Sequence, residues 1–198
     1  VPENMDCQTF GTLVKRGDVF FGSGREFAGN LPTVLDSGSG SSKDGSGIGG
    51  SMARFTIVGA YLYVVDEMDL NVFDLIVPAK PASVNVVKIG WGIETIFPYQ
   101  DKLFIGSNSG MFIFDNKNPT SPILLSAFQH ARACDPVFVK DNYAYVTLRS
   151  GNRCDGFNNQ LDLIDITDLL KPVLVQSFPM DNPHGLSIKG NTLLLCEG

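Results

Sequence analysis

The sequence predicts an all-β chain, and three observations lead to that fold class. Hydrophobic residues make up 43% of the 198 residues and charged residues 18%, a composition typical of a chain with a buried core. The 21 glycines and 11 prolines favour turns, and the 14 phenylalanines and five tyrosines favour strands. From Met52 onward, short apolar runs alternate with turn signals about every 8–12 residues, and a helical period is absent.

Internal repeats narrow the all-β class to a β-propeller. Three segments align, at 59–81, 100–122 and 141–172, and each contains an aromatic-rich strand followed by a second apolar strand that ends in aspartate. The three aspartates are Asp74, Asp115 and Asp165, and a proline follows each of them after seven residues (Pro81, Pro122, Pro172). A period of about 40–45 residues with four short strands is the signature of a propeller blade. The longer third repeat carries its extra residues at 151–159, where an insertion is expected to form a loop.

We therefore predict a partial β-propeller of four-stranded antiparallel blades, about three and a half of them. The predicted blades are approximately 52–90, 91–130, 131–182 and a partial blade at 183–198. In the second blade the strands are assigned to 93–99, 102–107, 111–115 and 123–128. Residues 1–51 are predicted to form an irregular segment, which includes a Gly/Ser-rich loop at 37–51. Since closed propellers take roughly four to eight blades, we expect these residues to be a fragment of a longer protein.

Two acidic features are interpreted as turns. The aspartate that ends the third strand of each blade is expected to accept backbone N–H groups of the following turn. The acidic run Asp66-Glu67-Met68-Asp69 lacks the glycine and the terminal glutamate of a calcium loop, so we interpret it as a solvated turn between two strands.

Charge and hydropathy exclude several classes of protein. The net charge is −6 and the isoelectric point is near 4.8, which argues against a nucleic-acid-binding protein. No apolar run approaches the roughly 18 residues of a transmembrane helix, so no transmembrane segment is predicted. The glycines of the 37–51 loop do not fit a phosphate-binding loop, because the GxxxxGK[ST] motif is absent.

One candidate site is predicted where the first strands of the blades begin. Alignment of the blades gives an equivalent position there, occupied by Ala53, Glu94, Asp135 and His184. We predict that one face carries the polar set Trp91, Glu94, Arg132, Asp135, Arg149 and His184. Two carboxylates and an imidazole suit a cation such as calcium, or acid–base chemistry on a polar substrate. Polar groups at a channel mouth also satisfy one another and water, and this alternative stays open.

The strand that ends in aspartate carries the most specific motif of the chain. It reads LNVFD over 70–74, MFIFD over 111–115 and LDLID over 161–165. With these motifs the chain resembles the LVIVD-repeat proteins of bacteria, and the resemblance extends over 49–66, 90–107, 134–151 and 182–198. It implies a β-propeller on an exported or lipid-anchored cell-surface protein. It supplies no catalytic residues.

The four cysteines lack a CxxC spacing, and only two histidines are present, so no structural zinc site is predicted. Cys134 begins the first strand of the third blade, and Cys154 lies in the insertion after the second strand. Because those strands are antiparallel, the two thiols are expected at the same end of the blade. The export that the resemblance implies favours a Cys134–Cys154 disulfide over two free thiols. Cys196 is expected to pack as a small apolar side chain, and Cys7 has no predicted partner.

We therefore expect a non-enzymatic β-propeller that acts as a binding or scaffold module for protein or glycan. Its expected location is the cell surface, as an outer membrane lipoprotein, or the periplasm. The alternative is a hydrolase or lyase with an acid–base site formed by Glu94, Asp135 and His184. No cofactor is predicted apart from a channel cation such as calcium. The expected partners are protein, glycan and the remaining blades of the same protein.

Overall fold

A computed structural model describes residues 51–129, 136–150 and 158–198. The first sheet contains β1 (Phe55–Val58), β2 (Tyr61–Val65), β3 (Asp69–Asp74) and β4 (Ala82–Lys88). The second contains β5 (Ile93–Tyr99), β6 (Lys102–Ser107), β7 (Gly110–Asp115) and β8 (Ile123–Gln129). The third contains β9 (Val137–Lys140), β10 (Tyr143–Leu148), β11 (Gln160–Asp165) and β12 (Val173–Pro179). The fourth contains β13 (Pro183–Lys189) and β14 (Thr192–Glu197).

Each sheet is an antiparallel meander in which consecutive strands pair, so the four sheets are three complete blades and half of a fourth. This confirms the predicted partial β-propeller, and the described residues contain no helix. The strands predicted for the second blade are confirmed, except that β7 begins and β8 ends one residue beyond the predicted bounds. Neighbouring blades are in contact through their first strands, β1 with β5, β5 with β9 and β9 with β13.

The three complete blades share local details that follow from the repeated sequence. The aspartate at the end of the third strand accepts the N–H of the residue two positions later, which confirms the predicted turn cap; the acceptor–donor pairs are Asp74–Ile76, Asp115–Lys117 and Asp165–Thr167. The pairing of the third strand with the fourth is interrupted by a register shift at the equivalent position of every blade, after Val72, Ile113 and Leu163. The blades are therefore one structural unit repeated three times.

The core lies between the blades. One cluster joins the first and second blades and includes the fully buried Tyr63, Leu103 and Phe114. The other joins the second and third blades and includes Phe104 and Val146. Each sheet thus buries its apolar side chains against its neighbours, as two packed layers do in any β-protein.

The first and fourth sheets are also tied to each other. The Ser51 hydroxyl accepts a hydrogen bond from the Leu186 N–H at 2.8 Å, across 135 residues of sequence. Next to it, a Cβ atom built on Gly185 would lie 3.1 Å from the Met52 sulfur, so glycine permits this close approach.

Several predictions fall on residues outside the described ranges. These are the irregular segment up to residue 50, the site residues Arg132 and Asp135, and the proposed disulfide partners Cys134 and Cys154. Cys196 is a free, half-buried thiol in β14. Within the described part of the chain, no helix is long and apolar enough to cross a bilayer.

Candidate functional site

A cavity of about 570 Å³ lies at the centre of the molecule, where residues from all four sheets meet. Four of the six predicted site residues line it, namely Trp91, Glu94, Arg149 and His184. The other two, Arg132 and Asp135, belong to the part of the chain that the structure leaves undescribed. Arg54 and Glu67 also line the cavity, which we call the central cavity.

The segment that precedes β5 displays Trp91 to solvent. Its side chain is 71% exposed, and it lies between Gly90 and Gly92, whose φ angles are +146° and +75°. Residues with a Cβ atom rarely adopt such φ angles, so the backbone conformation at these two positions depends on glycine. A Cβ atom on Gly92 would also lie within 2.3 Å of the Asn108 side chain. The two glycines therefore hold the indole at the rim of the central cavity.

Backbone hydrogen bonds fix the first blade to this rim. The Ile93 N–H donates to the Glu67 carbonyl at 3.2 Å, and the Ile96 N–H donates to the Ala53 carbonyl at 2.8 Å. The Arg54 guanidinium donates to the Ile93 carbonyl at 3.4 Å. The charged side chains of the cavity are thus carried by segments that are bonded to regular strands, which favours a preformed site.

His184 is held on both sides of its ring. The Arg149 guanidinium lies 3.1 Å from Nδ1, and the Gly198 carbonyl oxygen lies 3.2 Å from Nε2. Because a guanidinium can only donate, Nδ1 accepts in this contact. Nε2 has a second polar neighbour besides the Gly198 carbonyl, the side-chain amide nitrogen of Asn182 at 3.3 Å. The His184 carbonyl in turn accepts from the Thr147 hydroxyl at 2.8 Å.

These contacts bear on the chemistry that the cavity can perform. A histidine that acts as a general acid or base needs a ring nitrogen within hydrogen-bond reach of the substrate. Both ring nitrogens of His184 already have polar partners. Glu94 lines the same cavity, and Asp135, the third member of the predicted acid–base set, lies outside the described ranges.

The cavity carries both signs of charge. Among the described lining residues, Arg54 and Arg149 contribute two cations and Glu67 and Glu94 contribute two carboxylates, so their formal charges balance. Among residues 51–129, 136–150 and 158–198, no group of three His, Cys, Asp or Glu side chains is placed to hold a metal ion. Next to Glu67, in the run that the sequence predicted to be a solvated turn, the carboxylate of Asp66 accepts the N–H groups of Met68 and Asp69, and these bonds lower its pKa.

Sequence reasoning missed several cavity residues, among them Arg54, Glu67 and Asn108. Glu67, Asn108 and Arg149 hold one repeat position, because each lies six residues after the second-strand residue that pairs with the third-strand aspartate. Comparison of that position across the repeats would have found two of the missing residues, because Arg149 was already among the predicted set.

Comparisons with known proteins bear on the family and the fold. A family model for the LVIVD repeat matches residues 49–88 and 131–179. No curated protein matched the chain. Among solved structures, the chain is similar to one described as Kluyveromyces lactis Hsv2 complete loop 6CD, with 9% identity and a TM-score of 0.46 over 70% of this chain. This chain spans 38% of the length of that structure.

Proposed function

We propose, from the premise that this chain is an LVIVD-repeat protein with a β-propeller fold, that it is a non-enzymatic binding module. Its ligand occupies the central cavity and is a neutral, polar oligosaccharide presented at the cell surface or in the periplasm. A protein ligand is the alternative outcome that the experiments below separate from a glycan.

The observation that carries this proposal is the exposed Trp91 beside a cavity of balanced charge. An indole offers a flat apolar surface on which the C–H face of a sugar ring can lie. The Arg and Glu side chains of the cavity offer donors and acceptors for hydroxyl groups without favouring an ionic ligand. The volume of about 570 Å³ lies within the roughly 300–1,000 Å³ range of small-ligand pockets.

Trp91 makes the proposal directly testable, because it is the one tryptophan in the sequence. Fluorescence titration with members of a panel of neutral and acidic oligosaccharides should therefore report on the cavity alone. We expect saturable quenching or a blue shift with a neutral member of the panel. Calcium belongs in the same titration, because a channel cation was predicted from the carboxylates.

Variants assign the binding to the cavity. Trp91→Ala should weaken oligosaccharide binding about tenfold or more, measured by calorimetry. Trp91→Phe should retain part of the affinity because it keeps a ring. Ile76→Ala is the matched control, since Ile76 is 78% exposed but lies in the β3–β4 turn, at the opposite end of the blade. Binding that survives Trp91→Ala, or a panel without any ligand, would overturn the glycan assignment.

Export is part of the same proposal and has its own test. The LVIVD resemblance supports an oxidising location, in which a Cys134–Cys154 disulfide would stabilise the third blade by roughly 3 kcal/mol. Mass spectrometry of the unreduced protein should find these two cysteines cross-linked and Cys196 alkylated. Alkylation of all three without reduction would contradict the disulfide and weaken the argument for export.

A further inference from the structure

Two of the residues that line the central cavity, Arg149 and His184, are in direct contact. A terminal guanidinium nitrogen of Arg149 lies 3.1 Å from His184 Nδ1. A guanidinium has five N–H donors and no acceptor, so the ring nitrogen has to accept. An imidazolium carries a hydrogen on both ring nitrogens and therefore cannot accept. The contact consequently requires a neutral His184 ring.

The backbone fixes the separation of the two residues. Arg149 directly follows β10, and the fully buried Thr147 of β10 donates its hydroxyl to the His184 carbonyl at 2.8 Å. The Thr147 N–H donates in turn to the Pro136 carbonyl at 3.2 Å. His184 follows the buried Pro183, whose ring restricts the backbone directly before it. Both partners of the contact are thus carried by segments that are bonded to the third blade.

The turn before His184 has an uncommon backbone conformation. Asn182 has a φ angle of +49°, in the left-handed region that favours glycine. Its counterpart in the second blade is Gly92, with a φ angle of +75°, because each residue lies two positions before the aligned pair Glu94 and His184. Asn182 carries a side chain at this position, and its amide nitrogen lies 3.3 Å from His184 Nε2. A costly backbone conformation beside a cavity points to a functional constraint, here on the orientation of the ring.

We propose that His184 is a positioning residue of the ligand site and that Arg149 is the residue it positions. Nδ1 holds one guanidinium nitrogen, so that other N–H groups of the planar guanidinium donate to two neighbouring oxygen atoms of the ligand, such as vicinal hydroxyl groups of a sugar. Since the ligand is the oligosaccharide of the proposed function, this role depends on that function. Protonation of His184 removes the acceptor of Arg149, so acidification weakens ligand binding.

Other ionisable groups near His184 also respond to pH. Glu197 of β14 accepts the Asp181 N–H, and Lys140 of β9 contacts the β13–β14 turn at the other end of the sheet. Asp135, which precedes β9, lies outside the described ranges. The described ionisable groups that line the same cavity are Arg54, Glu67, Glu94 and Arg149. All these groups stay in place when only His184 is replaced, so variants at this position isolate its contribution.

Replacement of His184 by the two carboxamide residues tests the positioning role. Asparagine places its side-chain oxygen at the position of Nδ1, whereas glutamine places it at the position of Nε2. Calorimetry would use the neutral oligosaccharide that gives the largest Trp91 response. Arg149→Met and His184→Gln should each weaken its binding about tenfold, and His184→Asn should stay within about threefold of the unaltered chain. Equal losses for His184→Asn and His184→Gln would overturn the positioning role.

Acidification gives a second measurement on the same variants. Between about pH 8 and about pH 5, the affinity of the unaltered chain should fall toward that of His184→Gln, by about tenfold. The affinity of His184→Asn should stay nearly constant over this range, because the carboxamide does not titrate. A parallel fall in both proteins would assign the effect to other groups and would overturn the acid sensitivity.

Nuclear magnetic resonance of the free chain tests the pair without a ligand. The sequence contains two histidines, so isotopic labelling of the histidine nitrogens gives two rings, and His184→Asn identifies the one at position 184. We expect a neutral ring that is protonated on Nε2, and a shift of the Nδ1 signal in Arg149→Met. A ring protonated on Nδ1 would overturn the positioning role alone. An oligosaccharide panel without any ligand would instead overturn the proposed function, and the ligand role of Arg149 with it.

Discussion

The second blade and the fourth sheet are built from the same repeat but differ in burial. Leu103 of β6 and Leu193 of β14 hold equivalent positions, yet Leu103 is fully buried and Leu193 is 37% exposed. The second blade is packed on both faces, against the first blade and the third. Within the described residues, the fourth sheet contains only two strands, and its strand β13 contacts β9 and β10 of the third blade. The difference shows that the flanking blades, rather than the repeat sequence itself, decide how much surface a blade buries.

This comparison has an energetic consequence. In repeat architectures, stability is approximately the sum of what each repeat contributes and what each interface contributes. The same substitution should therefore cost much more in the second blade than at the equivalent position of an open sheet. The predictions below test that expectation at two repeat positions and then compare two lysines that differ in exposure.

The largest effect is expected from the matched pair Leu103→Ala and Leu193→Ala. Leu103→Ala should lower the free energy of unfolding by about 2–5 kcal/mol, because it leaves a cavity in a packed interface. Leu193→Ala should cost about 1 kcal/mol or less, because that side chain is already partly in water. Urea denaturation of both variants measures the difference. Equal losses would contradict the dependence on flanking blades.

The next effect concerns Tyr63 and its counterpart Tyr145. Tyr63→Phe leaves the buried Asn116 side chain without its donor, so we expect a loss of about 1–3 kcal/mol in urea denaturation. Tyr145→Phe should change the midpoint little. Tyr145 is the counterpart because it follows Tyr143, which pairs with Asp165, by two residues, as Tyr63 follows Tyr61, which pairs with Asp74. Its hydroxyl has no hydrogen-bond partner among the described residues, so a loss comparable to that of Tyr63→Phe would contradict the dependence on flanking blades.

The same tyrosine predicts an alkaline effect. Burial raises the pKa of Tyr63 from 10.0 to about 12, so the folded protein keeps this proton at a pH where the unfolded chain loses it. The associated stability is therefore complete below about pH 10 and is lost as the pH rises from about 10 to about 12. Urea midpoints between pH 9 and pH 11 should fall less steeply for Tyr63→Phe than for the unaltered chain. The Tyr145→Phe variant should keep the steep fall.

The smallest effects are expected for two lysines in ion pairs. Lys102 is 11% exposed and pairs with Asp101 at 2.5 Å and Asp115 at 3.3 Å, whereas Lys88 is 77% exposed and pairs with Asp69 at 2.7 Å. Lys102→Ala should cost about 1–2 kcal/mol. Lys88→Ala should lower the free energy of unfolding by at most about 0.5 kcal/mol, and added salt should abolish this loss. A larger loss for Lys88→Ala would break the correlation with burial.

Most of the fold was predictable, because each complete blade carries the same recognisable residues at the same positions of its sequence. The aspartate and the proline seven residues later bracket the turn between the third and fourth strands, and these markers placed β5–β8 within one residue. Placement of Trp91 and Arg149 on one face followed from the same alignment. The hydrogen bond from Tyr63 to Asn116 could not be predicted from that alignment, because it joins two different blades. The repeat pattern within one blade carries no information on how that blade is positioned against the next.

The bond between Ser51 and Leu186 has a consequence for the order of folding. Its two partners are separated by 135 residues, so the contact gains nothing until the three intervening sheets have formed. Closing so long a loop carries a large entropic cost, and contacts of high sequence separation are expected to form late. Protection of the Leu186 amide from hydrogen exchange during refolding should therefore appear after that of β6. Protection of this single amide would therefore report when the three intervening sheets have assembled.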